Sequence, residues 1–232
     1  MKKIKLYCLP YAGGSAAAFL SWNKYLDGSI ELIPLELSGR GFRFNEPVYE
    51  SFSEMITDIY KVFCEKNDDS LYAFYGHSMG SLIVYELCHL IMQDNRKRPM
   101  HLFISGRCPP HINIKPRINS SMDNNALKDE LISMGGTPPE LFSYKVILNS
   151  FLSIIRNDLR VIEKYKHIKR QNDKFDCPIT VFNTKTDIDE SDIKEWSRYT
   201  NYNFRYFLFE GGHFFINDNA NKIAEIINSS LL

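Results

Sequence analysis

No stretch of this chain stays apolar for the about 20 residues needed to cross a bilayer. Its basic start, Met1-Lys-Lys-Ile-Lys5, meets Pro10 and Gly13-Gly14 before a signal-peptide core could form. A cytoplasmic protein with no membrane contact is expected. Charge of one sign is also missing: 28 Lys and Arg stand against 28 Asp and Glu, so no overall field draws the chain to nucleic acid. Cysteine is scarce and unpatterned. The five residues, Cys8, Cys64, Cys88, Cys108 and Cys177, are odd in number and never at C-x-x-C spacing, which argues against a zinc site or a fully paired disulfide framework. Four lie in or beside apolar runs and are expected as reduced core residues. There is no G-x-G-x-x-G and no G-K-[ST], so the glycine loop Pro10-Tyr-Ala-Gly-Gly-Ser15 does not read as a nucleotide cradle. No repeat or low-complexity tract interrupts the chain. Neither a metal nor a cofactor is expected.

What is present is an ordinary core-forming composition, 44% hydrophobic and 24% charged, in 232 residues. That length suffices for one domain with a sheet covered on both faces. Short apolar runs alternate with segments of helical periodicity. Strands are predicted at 4–9, 30–35, 71–75, 100–106, 177–183 and 203–209, and helices at 16–26, 51–66, 81–94, 192–199 and 220–232. Ser51 or Ser53 is expected to cap the second helix, and Asp192 to cap the fourth. The βα alternation calls for a mostly parallel sheet, an α/β fold.

One hexapeptide organises the rest: Tyr75-Gly76-His77-Ser78-Met79-Gly80, between a strand and a helix. A serine set between glycines at a strand-to-helix turn reads as a nucleophile elbow, its backbone strained and its hydroxyl clear of the sheet. A Cβ at Gly76 or Gly80 is expected to clash where strand and helix cross. Serine needs a base, and six histidines compete. His213 alone follows a late strand in a glycine-flanked loop, Glu210-Gly-Gly-His213; His77, beside the nucleophile, is expected to point to the far side of the elbow. Asp187 lies nearest the end of the fifth strand, with Asp189, Glu190 and Asp192 close by as rivals. Strand ends gather at one edge of a parallel sheet, so Ser78, Asp187 and His213 are expected to meet there, in the chain order of α/β-hydrolases. The oxyanion hole is assigned to the N–H of Met79 and, from the first glycine loop, to that of Ala12, with Tyr11 as the near alternative. Arg40 is expected to tie down a loop.

Residues 109–173 break the alternation. They hold a broad helical stripe, Val146, Ile147, Leu148, Phe151, Leu152, Ile154, Ile155, Leu159 and Ile162, wider than one core face needs. A helical insertion of this kind suits a lid over an acyl chain.

Together these residues resemble the type II thioesterases of non-ribosomal peptide and polyketide synthase systems, in the α/β-hydrolase superfamily. The resemblance covers nearly the whole chain and rests on Leu9-Pro-Tyr-Ala-Gly-Gly-Ser15, Glu36-Leu-Ser-Gly-Arg-Gly41, Gly76-His-Ser-Met-Gly80, Gly135-Gly-Thr-Pro138, the Asp187 loop leading to Trp196, and Gly211-Gly-His-Phe-Phe215. Ser38 stands where the family usually has proline, and Asn183-Thr184 where it often has glycines. The resemblance implies an α/β-hydrolase fold with a helical lid at about 109–173 in a single domain, 1–232. It also implies a hydrolase clearing aberrant or stalled acyl groups from the phosphopantetheine thiol of acyl or peptidyl carrier protein domains, with Ser78, Asp187 and His213 as triad. The protein is expected to be a monomer. Basic clusters at Arg96, Lys97 and Arg98, or at Lys166, Lys169 and Arg170, are candidates for the carrier surface. A small-molecule carboxylesterase or lipase-like enzyme with the same triad, or a non-catalytic binding module on this scaffold, are the rival readings.

Overall fold

The computed structural model describes residues 2–113, 116–136 and 145–232, the side chains of 145–147 excepted. Six strands, β1 (Ile4–Leu9), β2 (Ile30–Pro34), β3 (Tyr72–His77), β4 (Leu102–Ser105), β5 (Ile179–Thr184) and β6 (Phe204–Phe209), form one sheet in the order β2-β1-β3-β4-β5-β6. Every pairing is parallel. The central strands are buried along their whole length, as parallel strands covered on both faces must be. Successive side chains of β3 serve opposite cores: Tyr72 and Phe74 join the cluster under α1 (Phe52–Lys66) and α2 (Met79–Gln93), with Ile59, Phe63, Leu82 and Ile83. Ala73 and Tyr75 join Phe19, Trp22, Ile223 and Ile227 on the other face, where the closing helix, Ala220–Leu231, packs. This is the mostly parallel α/β sheet expected from the alternation.

Local differences have physical causes. The segment after the first glycine loop is a 3-10 helix, Ala16–Lys24, in place of an α-helix. Its buried residues, Ala16, Phe19 and Trp22, recur every three positions, which is the period of the tighter helix. Ser51 caps α1 by accepting the Glu54 N–H at 3.1 Å. At the fourth predicted helix the cap position is Asp189, not Asp192. The segment divides into a short α-helix, Glu190–Lys194, and a 3-10 turn, Glu195–Tyr199, and Asp192 falls in its first turn.

Between β4 and β5 the chain detours through α3 (Asn124–Ser133) and α4 (Lys145–Glu163). Asp123 starts α3 by accepting from the N–H groups of Asn125 and Ala126. The width of the α4 stripe has a simple origin: the helix packs two ways. Leu152, Ile155 and Leu159 meet Leu127 and Leu131 of α3, whereas Val161 and Ile162 join the main core. Val146 and Ile147, named in the same stripe, have side chains outside the described residues, as do Thr137 and Pro138 of the glycine-proline motif.

Candidate active site

The turn from β3 into α2 carries the strain the sequence predicts. Ser78 sits at φ 54°, ψ −113°, one of three non-glycine residues with positive φ among those described, a conformation that costs on the order of 1–3 kcal/mol. A Cβ on Gly76 would collide with the backbone of Gly80 and Ser81, the expected strand-to-helix crossing. A Cβ on Gly80 would strike the carbonyls of Leu9 and Pro10, so the second glycine admits the end of β1 as well. The turn is held from β4: Ser78 N–H donates to the Ser105 carbonyl at 2.7 Å, and the Ser81 hydroxyl bridges the carbonyls of Gly76 and Ser105. Met79 opens α2, so its N–H has no carbonyl one turn back and points out of the helix start.

At the ends of β5 and β6 the structure brings two predicted residues together. His213 Nδ1 and Asp187 Oδ2 are 2.8 Å apart, both partly buried. A carboxylate at Nδ1 holds the proton there and leaves Nε2 to accept. Of the rival acids, Glu190 is held by Lys194 and Tyr206, and Asp189 lies at the helix start. Two contacts that sequence reasoning missed fix the acid loop. Asn183 Nδ2 donates to the Ile188 carbonyl at 2.8 Å, and Thr186 Oγ1 donates to the Gly211 carbonyl at 2.9 Å, tying the acid loop to the histidine loop. Where the resemblance leads to an expectation of glycine, the Asn183 side chain supplies a tether. Ser38 is similar: its N–H donates to the Tyr49 hydroxyl at 3.0 Å, a bond that proline lacks the hydrogen to make.

Ser78 and His213 each reach the end of β4, Ser78 through the Ser105 carbonyl. A Cβ on Gly106, directly after Ser105, would lie 3.4 Å from Cε1 of His213. Among the described residues no hydrogen bond joins the Ser78 hydroxyl to the imidazole, and such bonds commonly tighten only when substrate binds. His77 departs from expectation. It does not point away but lies beneath His213, ring centroids 5.0 Å apart, with its Nδ1 2.9 Å from the Ser105 hydroxyl. Burial, reinforced by the neighbouring His213, holds His77 far below the usual histidine range, so it is a neutral floor under the base. Phe214 and Phe215 pack on the same ring, and Phe214 in turn leaves no room for a side chain at Gly136.

The remaining predicted residues are placed as follows. Ala12 lies in the first glycine loop, packed between the main core and the α3–α4 cluster. Among the described residues the N–H groups of Tyr11 and Ala12 reach no acceptor, while Gly13 N–H is bound to Asp158. Arg40 ties a loop, as expected. The basic clusters differ in availability. Arg98 pairs with Asp176, Lys97 with the Asp69 carbonyl, and Arg96 lies over Tyr60. Arg170 is bound to Glu86, whereas Lys166 and Lys169 are exposed beside the exposed Ile168. A cleft of about 350 Å³ lined by His101, Pro178 and Asn203 opens at the opposite, amino-terminal ends of the strands. Its His101 is bound to the Thr180 hydroxyl at 2.8 Å, and its Ser230 hydroxyl accepts from Arg205 and donates to the Ile226 carbonyl. Among the described residues no cluster suited to a metal ion occurs, and no helix is long and apolar enough to cross a membrane.

A strained serine at an elbow, a histidine oriented by a carboxylate, and free N–H groups beside the serine are the parts of an acyl-transfer centre. The family model described as "Thioesterase domain" matches residues 4–231. The gramicidin S biosynthesis protein GrsT of Aneurinibacillus migulanus is 30% identical over 234 residues, covering 99% of this chain and 89% of that protein. A protein of Brevibacillus parabrevis named linear gramicidin dehydrogenase LgrE is 31% identical over 235 residues, covering 99% and 88%. Its name notwithstanding, the corresponding glycine loop of this chain lacks a dinucleotide fingerprint. Among solved structures, ClbQ from the colibactin non-ribosomal peptide and polyketide synthase pathway superposes with a TM-score of 0.92 at 31% identity, over 99% of this chain and 97% of that one.

Proposed function

The chain belongs to the thioesterase family, as a type II thioesterase of non-ribosomal peptide and polyketide synthase systems, and from that premise we propose that it hydrolyses aberrant or stalled acyl groups from the phosphopantetheine thiol of carrier proteins. The observation that carries the proposal is the 2.8 Å His213–Asp187 bond at the same sheet edge as the strained Ser78.

In this mechanism Ser78 Oγ attacks the thioester carbonyl while His213 Nε2 takes the hydroxyl proton. Asp187 keeps the other imidazole proton at Nδ1 and stabilises the imidazolium that forms. The carbonyl oxygen becomes an oxyanion held by the N–H groups of Met79 and Ala12, with Tyr11 as the alternative second donor. As the tetrahedral adduct collapses, the C–S bond breaks and the thiolate leaves with the proton from His213. Water, deprotonated by the same imidazole, then attacks the acyl-serine, giving a free acid and regenerating Ser78. The chain needs no cofactor of its own, since the phosphopantetheine arrives on the partner. The α3–α4 insertion is the cover for the acyl chain, and exposed Lys166 and Lys169 are the freer of the two candidate carrier contacts.

The test is hydrolysis of a panel of acyl-loaded carrier proteins and of nitrophenyl esters. The proposal expects carriers to be preferred and Ser78→Ala to abolish turnover while leaving the circular dichroism spectrum unchanged. A preference for the simple esters would favour the carboxylesterase reading. Failure of a fluorophosphonate to label Ser78 would favour the binding module.

A further inference from the structure

The loop that offers the second oxyanion donor closes on itself with one turn bond, Gly14 N–H to the Tyr11 carbonyl at 2.9 Å. Its backbone is gripped by buried side chains from two other parts of the chain. Arg40 and Asp158 form a bidentate pair, Nη1 to Oδ2 and Nη2 to Oδ1 both 2.6 Å, with side chains 3% and 0% exposed. The same Asp158 Oδ2 accepts the Gly13 N–H at 2.7 Å, and the same Arg40 Nη1 donates to the Gly14 carbonyl at 3.2 Å. Two residues further on, Glu36 Oε1 accepts the Ala16 N–H at 3.0 Å. The peptide planes immediately after Ala12 are thus fixed in orientation by groups outside the loop. Those of Tyr11 and Ala12 are left with N–H groups unengaged by any described acceptor.

A buried ion pair is a poor way to gain stability, because apolar side chains of similar volume often do as well or better. It is a good way to gain geometry, since the guanidinium fork meets a carboxylate in one plane and at one distance. Oxyanion donors need that geometry, and a displacement of about 1 Å can cost on the order of 100-fold in rate. Asp158 belongs to α4, whose Ile155 and Leu159 pack in the cluster that Ala12 borders. We infer that Arg40 and Asp158 are a positioning pair for the oxyanion hole, through which helix α4 of the insertion is part of the catalytic frame and not only its cover. The inference rests on the reading of Ser78 as nucleophile.

Two variants test it, Arg40→Lys, which keeps the charge but loses the fork, and the double variant Arg40→Met with Asp158→Leu, which removes both charges together. The readouts are kcat, KM, thermal midpoint and affinity for an alkylboronic acid, which becomes tetrahedral on the serine. Arg40→Lys is expected to stay folded, with kcat lowered about 10- to 100-fold, KM nearly unchanged, and boronate affinity lowered by the same factor as kcat. The folded double variant is expected to keep the low kcat. Wild-type kcat and boronate affinity in Arg40→Lys would overturn the inference, as would recovery of kcat along with stability in the double variant. Should the double variant not fold, Arg40→Lys decides alone. A wild-type protein that neither hydrolyses thioesters nor binds the boronate would instead remove the premise about Ser78, and the inference with it.

Discussion

Ser78 keeps its strained backbone because its neighbours leave no other path: glycine on either side at two residues' distance, and β4 bonding the turn from the flank. Gly76→Ala should therefore lower stability by about 1–3 kcal/mol, the cost of forcing atoms into a packed site, and lower activity with it; denaturant titration against the wild type checks the first part. At Asp187, replacement by Asn should leave the fold intact and reduce kcat about 10⁴-fold through the wrong imidazole tautomer. A stronger loss from Asp192→Asn in the same assay would reassign the acid. These residues were legible in the sequence because their chemistry and chain order constrain them jointly. The tethers were not. Thr186 and Asp158 bond backbone groups distant in sequence, and Asn183 closes its own loop at Ile188; an isolated polar residue carries no periodic or motif signal of such a partner. His77 ends β3 and shares the face of Tyr75, so alternation turns it toward Phe215; that the His213 loop folds over that face is a long-range contact no local pattern encodes.

For the elements, caps and periodicity gave most of the outline. Ser51 begins α1 as its side-chain chemistry predicts, and Ser51→Ala should cost about 1 kcal/mol in unfolding free energy with kcat unchanged, since among the described residues its hydroxyl bonds only the Glu54 N–H of its own helix. The first helix is legible as a helix but not as a 3-10 one: three alanines suit any helix, and the packing of Phe19 and Trp22 against Tyr75 selects the tighter coil. The α4 stripe was legible as broad but not as divided, because a hydrophobic pattern records that a face is covered without recording by what. Leu131→Ala, at the α3–α4 contact, should cost about 2–5 kcal/mol locally and raise hydrogen exchange in α3 and α4 while leaving the strands protected.

For the molecule as a whole, titration sets a limit on the acid side. Burial, foremost, pushes His89 and His101 down to about 4, with Arg170 and Arg205 adding to it respectively; burial also holds His77 well below the usual histidine range. Each is neutral when folded and protonated when unfolded at any pH between the two values. Their stability contribution is thus intact above about pH 6.5, falls as pH drops through that value, and keeps falling toward the folded-state pKa. At pH 5 His89 and His101 should each cost on the order of 2 kcal/mol relative to neutral pH. Glu36, whose carboxyl burial raises, works in the opposite direction and offsets part of this. Unfolding titrations at pH 7 and pH 5 should show a clear net loss; equal midpoints would contradict it. The parallel topology was legible from the alternation of strand and helix, whereas the strand order across the sheet rests on long-range pairing that no local pattern encodes.

The detour between β4 and β5 has one more property. It departs from the carboxyl end of β4 and is recaptured at Phe175, whose N–H donates to the Tyr199 carbonyl before the chain enters β5 beside β4. No described strand pairing falls between those two anchors, but Val161 packs in the main core and Tyr165 and Arg170 bond Glu86 of α2. On the proposed reading, a graft of another protein's 109–173 segment is expected to shift acyl preference, and to keep turnover only where it restores those contacts and an aspartate at the place of Asp158; acyl-carrier hydrolysis by such a chimera measures both.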